Sequence, residues 1–257
     1  VSPRGCFATS WRFNSFIKTK TPLLRLLQIS NSLLAIYLRQ IDLGFEFQHY
    51  QFSPIEILYV GDLTGILSPC LSRFRNLMAL EFHGPPATLP QEHRRVYINT
   101  TVAALRYVPF LRLTEFDITL PITRNFAQFF PDRTTVLQIP IEDVLDRLHH
   151  LGLYVCAQTT IMDTDLKGLE YVAHPNSPTS FHLHRMIALS INLKSLAISG
   201  EDHICFEYFG IYFPTSLQAL HVKGTTMTSD TIIALIRRSH KCLKYIEFLN
   251  IKLSSGT

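Results

Sequence analysis

One spacing recurs along this chain: an apolar residue, two others, a second apolar residue, one other, and a third apolar residue. It reads at Leu33/Ile36/Leu38, Ile55/Leu58/Val60, Leu77/Leu80/Phe82 and Leu113/Phe116/Ile118, then at Leu193/Leu196/Ile198, Leu217/Leu220/Val222 and Leu243/Ile246/Phe248. The clear intervals are 22, 22, 24 and 26 residues. A lone match arises by chance in a chain that is 47% hydrophobic; a regular return does not. Five apolar positions also coincide in offset between Leu33–Leu43 and Leu243–Leu253. Alternation such as Leu196-x-Ile198 sends two side chains to one side of a short strand. The leading Leu plugs the turn before that strand. A unit this small cannot bury its apolar side alone, so neighbouring units must stack into one continuous core.

Periods of roughly 20–29 residues with this spacing resemble leucine-rich repeats. The fold class expected is α/β: an irregular leucine-rich-repeat solenoid, with a curved parallel sheet on one face and helices on the other. The competing reading is an irregular α/β domain with a buried sheet. Helices are expected between the strands. Ser229 and Asp230 precede the stripe Ile232, Ile233, Leu235, Ile236 and a basic last turn of Arg237, Arg238, His240 and Lys241. Ser68-Pro69 opens a helix before Leu71 and Phe74, since Pro suits a first turn. Pro140 with Glu142 and Asp143 opens another through Val144, Leu145 and Leu148, and a fourth spans about Phe181 to Ala188.

The middle is less regular. Leu77 to Leu113 is 36 residues and contains Gly84-Pro85-Pro86 and Pro90, which predict an insertion loop. Leu148/Leu151/Leu153 match the spacing, but Leu148 sits in a helical pattern, so that unit is doubtful. Leu166/Leu169/Tyr171 form a plausible further unit before the loop His174–Pro178. The solenoid is placed over residues 23–257, cut at both ends, with residues 1–22 unassigned and neither end capped by polar residues.

Charged residues make up 17% of the chain, and with the apolar content this describes a folded protein. The net charge of +4 and pI near 8.8 are mild, and basic residues are scattered. Arg94-Arg95 and Arg237-Arg238 are the longest basic runs, so nucleic acid is not an expected partner. Arg25 and Arg39 interrupt the best candidate for a membrane span, and no secretory signal is visible. Cys6, Cys70, Cys156, Cys205 and Cys242 are widely spaced and read as buried reduced thiols of a cytoplasmic or nuclear protein.

Chemistry is hard to find. His149-His150 lie side by side at a helix end, and His182 and His184 share a face only in a strand. Neither pair has a Cys, Asp or Glu set at ligand spacing, so no metal or other cofactor is expected. Asp163 and Asp165 read as a solvated loop, and Asn99-Thr100-Thr101 as a chance sequon. Nucleophile and phosphate-loop motifs are absent from the sequence, and the chain is not expected to be an enzyme; the alternatives to a binding module are a non-catalytic structural fragment and an enzyme on an irregular α/β scaffold with His182, His184 or Asp163 and Asp165 in its site.

The C-terminal third carries a longer pattern: Leu217/Leu220/Val222, then Thr228 to Thr231, Ala234 to His240, Leu243/Ile246/Phe248, and Ile251-x-Leu253 before Gly256. Over residues 181–257, and more faintly over 30–120, this resembles fungal F-box and leucine-rich-repeat proteins, whose helices end in an Arg-Arg-x-His stretch. The resemblance implies the substrate-recognition repeats of an F-box subunit in a cullin-type ubiquitin ligase. Two departures stand out. The ninth repeat position, where Asn or Cys is usual, holds Ile41, Leu63, Thr225 and Ile251; residues 1–22 hold no F-box, which would lie upstream of Val1.

A protein partner would meet the strand residues that flank the inward pairs. These are Tyr37, Arg39, Tyr59, Glu81, His83, Asp117, His221, Lys223, Tyr245 and Glu247. Tyr mixed with charges of both signs suits protein recognition better than a phosphate backbone.

Overall fold

The computed structural model describes residues 11–16, 20–44, 65–84, 98, 102, 108–120, 129–130, 140–155, 178–200 and 214–254. Among these residues eight strands form one parallel sheet, and their order across it is their order along the chain. They are β1 (Trp11–Phe16), β2 (Leu38–Gly44), β3 (Ala79–His83), β4 (Glu115–Leu120), β5 (His150–Val155), β6 (Ser195–Gly200), β7 (Ala219–Lys223) and β9 (Tyr245–Leu249). The short β8 (Thr226–Thr228) and β10 (Lys252–Ser254) pair separately, also in parallel. Helices α1 (Lys20–Ser30), α2 (residues 65–73), α3 (Pro140–Arg147), α4 (Pro178–Leu189) and α5 (Ser229–Ser239) run between strands. A strand order that follows chain order is what stacked, similar units produce, and this is a leucine-rich-repeat-like arrangement.

The register shows the repeat at atomic level. Ile41, Leu80, Phe116, Leu151, Leu196, Leu220 and Ile246 are successive partners across the sheet, and so are Leu43, Phe82, Ile118, Leu153, Ile198, Val222 and Phe248. From β2 to β7 these two rows are buried and join the helix residues Leu26, Leu71, Val144, Met186 and Leu235 in a single core. The leading Leu of each unit does plug a turn. The backbone N–H groups of Leu77, Leu113, Leu148, Leu193 and Leu217 each donate to the carbonyl three residues back, and all five side chains are buried. The next residue then offers its carbonyl to the following unit: Met78 O accepts from Thr114 and Glu115, Thr114 O from His149 and His150, and His149 O from Lys194 and Ser195.

Two sequence expectations change. The first unit is Leu38/Ile41/Leu43, five residues later than Leu33/Ile36/Leu38. Leu33 and Ile36 lie in a 3₁₀ turn (Leu33–Tyr37), 86% and 50% exposed, while Ile41 is sealed. The same spacing occurs twice in that segment, and burial against Leu80 selects the second. The interval of 22 from Leu33 to Ile55 therefore does not begin at a unit of the sheet. Conversely, Leu148/Leu151/Leu153 is a full unit: Leu148 closes α3's exit turn and β5 follows at once. The units at Ile55 and Leu166, the prolines beyond Gly84, and Tyr59 lie outside the described residues.

Smaller details shift as well. Thr228 caps α5, its Oγ1 accepting from Thr231 N–H, and the helix buries Thr231, Leu235 and Ser239 while Ile233 and Ile236 stay exposed. Residues 65–73 are already helical upstream of Ser68-Pro69, so that pair does not mark the helix start, and α4 begins at Pro178, ahead of Phe181. Cys70 is buried, but Cys242 is exposed. β1 falls in the segment for which the sequence predicts no element. At the other end Ile246 is 37% and Leu253 62% exposed, so the last core row meets solvent.

The final two units match down to their backbone. Gly224, after β7, and Asn250, after β9, both have positive φ, 59° and 52°, at the same position of the 26-residue repeat. Each turns the chain from the large sheet into the β8–β10 pair, where Thr226 faces Lys252. Gly and Asn are the residues that take this left-handed conformation at least cost. Gly224→Val should therefore lose about 1–2 kcal/mol in urea unfolding, whereas Asn250→Gly should stay within about 0.5 kcal/mol. Equal effects at the two positions would contradict the shared turn.

Candidate functional site: the open face of the sheet

The side chains that alternate with the core rows form three rows on the sheet's other side. The central row runs Asp42, Glu81, Asp117, Gly152, Ala197, His221, Glu247. One neighbour is Gln40, Ala79, Glu115, His150, Ser195, Ala219, Tyr245, and the other includes His83, Thr119, Tyr154, Ser199, Lys223, Leu249. Seven of the ten residues expected to flank the inward pairs, Glu81, His83, Asp117, His221, Lys223, Tyr245 and Glu247, stand on this face. Tyr37 and Arg39 do not. Once the first unit moves to Leu38, Tyr37 falls in the 3₁₀ turn, and the Arg39 guanidinium donates to the carbonyls of Ile36 and Asn76. Their places on the face belong to Gln40 and Asp42.

Polar groups on β2 to β5 are tied together across strands. His83 Nε2 lies 2.9 Å from Glu81 Oε1 and 3.5 Å from Asp42 Oδ1. Asp42, Glu81 and His83 each place a donor atom within 4.8 Å of the others, a grouping of the kind that holds a divalent cation. Residues 39 apart in sequence supply it, so a search for close ligand spacing passes over it. Further along, His150 Nε2 is 3.0 Å from Asp117 Oδ1, and its Nδ1 is 3.0 Å from Ser195 Oγ. The hydrogen bond to Asp117 raises the His150 pKa; burial opposes this, and the Asp117 and Glu115 charges add to it. Tyr154 is pushed up to about 12, first by burial and then by the charges of Asp117 and Glu81.

Gly152 makes this packing possible. A Cβ there would stand 1.7 Å from Asp117 Oδ1 and 2.7 Å from a Tyr154 ring carbon. Asp117 thus leans over the bare backbone of β5, where it meets His150. At the far end of the face, His221 Nδ1 is 2.6 Å from Glu247 Oε2, and Tyr245 donates its hydroxyl to the same oxygen at 3.0 Å. These bonds hold the Glu247 carboxyl below its usual pKa, His221 contributing most.

His184 is buried in α4, on the helix side of the sheet, and Asp163 and Asp165 lie outside the described residues, as does the side chain of His182. Among the described residues no helix is long and apolar enough to cross a membrane.

No family model matches this chain. No curated protein matches it either. Among solved structures, an internalin from Listeria monocytogenes is similar at 11% identity and a TM-score of 0.24, over 88% of this chain. The chain spans 65% of that structure's length. So slight a likeness does not bear on fold or function, and the repeat stands on the strand register alone.

Proposed function

We propose that the open face of the parallel sheet is a docking surface for another protein and that the chain is a non-catalytic recognition module. The observation that carries this reading is the two-sidedness of the sheet. Parallel sheets are ordinarily covered on both faces. Here one face closes the core, while the other presents carboxylates, imidazoles and the rings of Tyr154 and Tyr245. Aromatic and charged groups held on rigid strands are suited to recognition, because little side-chain entropy is lost on binding. The finer reading, a substrate receptor of an F-box-type ubiquitin ligase, rests on the resemblance of residues 181–257, and more faintly of 30–120, alone, and its place in the cytoplasm or nucleus on the scattered cysteines.

The test is capture of partners by the tagged parent protein in its own cells, with and without alanine at Glu81, Tyr154, His221 and Tyr245 together. A partner that contacts the face should be recovered at least about tenfold less well with the substituted protein, since buried anchors are worth about 2 kcal/mol or more each. Unchanged recovery would place the interface elsewhere. A cullin and its adaptor among the proteins retained by both forms would support the ligase assignment, and their absence would remove it.

A further inference from the structure

We infer that the partner segment seated on this face is basic, an extended stretch bearing Arg or Lys; this rests on the docking role proposed above. The chain as a whole carries +4, yet the open face from β2 to β9 carries five carboxylates and one lysine, a formal −4. The charge is also arranged. Glu81 and Asp117 are direct partners on neighbouring strands, with Asp42 on one side and Glu115 beside them, whereas the other end carries one carboxylate, Glu247, held by His221 and Tyr245. Between Asp117 and His221 the central row holds only Gly152 and Ala197.

Carboxylates therefore stand at two rims of the face, Asp42, Glu81 and Asp117 at one and Glu247 at the other; between them Asp117 and Tyr154 occupy the space over Gly152, and Ala197 is buried. Four strand steps separate the rims, about 19 Å at roughly 4.8 Å per step. An extended peptide covers that distance in about six residues. Long cationic side chains of such a segment can reach the carboxylates at either rim. An acidic segment, or a nucleic-acid backbone, would meet like charge there.

The probe is a fluorescein-labelled peptide of three Arg-Gly-Ser repeats, with a Glu-Gly-Ser peptide as counterpart, read by anisotropy at about 0.15 M salt, where the screening length is roughly 8 Å. Two double variants lose the same charge in different places: Glu81→Gln with Asp117→Asn on the face, and Asp143→Asn with Asp146→Asn on exposed positions of α3. The Arg peptide should bind the unsubstituted chain, bind the face variant at least about tenfold more weakly, and bind the α3 variant unchanged. The Glu peptide should not bind. Circular dichroism of each variant separates lost binding from lost fold, and Glu247→Gln, at the opposite rim, repeats the test independently. Equal loss in both double variants, or no binding of the Arg peptide, overturns the inference. If the alanine variant still releases its cellular partner in that event, docking stands and only the basic class of partner falls. If neither experiment responds to the face, both fall.

Discussion

Phe116→Ala should lower the stability of this protein by about 3–5 kcal/mol, read as a fall in the urea midpoint at constant slope. Phe116 is 1% exposed and sits mid-sheet on β4, between Leu80 of β3 and Leu151 of β5. Removing the ring leaves a cavity that the strands cannot close, because both neighbours are held by the backbone ladder. Ile36→Ala is the matching control. Ile36 belongs to an apolar triplet of the same spacing, yet it is half exposed in the 3₁₀ turn, so its loss should stay within about 0.5 kcal/mol. A costly Ile36→Ala would restore the earlier register for the first unit. A mild Phe116→Ala would mean that the stacked core does not exist as described.

Acid should destabilise the fold through His184. Burial among the helices pushes its pKa down to about 4, from an ordinary value near 6.5. Above pH 6.5 the imidazole is neutral in both folded and unfolded chains, and its full contribution is present. As pH falls from 6.5 towards 4 the unfolded chain takes up a proton that the folded chain refuses, and stability declines by about 3 kcal/mol over that window. His184→Gln cannot take up the proton, so its stability profile should be flatter between pH 6.5 and 4 by that amount. His150 works with the opposite sign: its raised pKa adds stability that is full below 6.5 and is lost as pH rises through the folded value. Measuring His184→Gln in an Asp117→Asn background removes the principal cause of that opposing contribution. An unchanged acid limb would show that His184 is not sealed from water.

Much of the fold can be read along the chain, and the reason is local. The leading Leu, its turn and the alternating strand pair lie within six residues, so Leu77, Leu113, Leu193 and Leu217 announce their units by spacing alone. α3 is legible too, because Pro140, Glu142 and Asp143 favour a helix start whatever packs against it. Where two readings share one spacing, sequence has no means to choose. Leu33/Ile36/Leu38 and Leu38/Ile41/Leu43 are equivalent as patterns, and only contact with β3 decides between them. At Leu148 the helical and strand patterns overlap by one residue, so spacing alone does not separate the unit from the helix before it.

The site divides along the same line. That Glu81, Asp117, His221 and Glu247 flank inward-pointing pairs follows from alternation, a property of one strand. That Asp42 joins them, that His83 bridges two carboxylates, and that Asp117 reaches His150 over Gly152 are properties of neighbouring strands in register. Apart from Glu81 and His83, two residues apart on β3, those partners are separated by 33 to 41 residues, over which sequence spacing carries no distance information. The sequence by itself determined the repeating unit and the polarity of its two sides, because both arise within a few residues of backbone. The tertiary structure alone decided which units stack, and therefore which carboxylates gather on one face, because that choice is made by burial between strands.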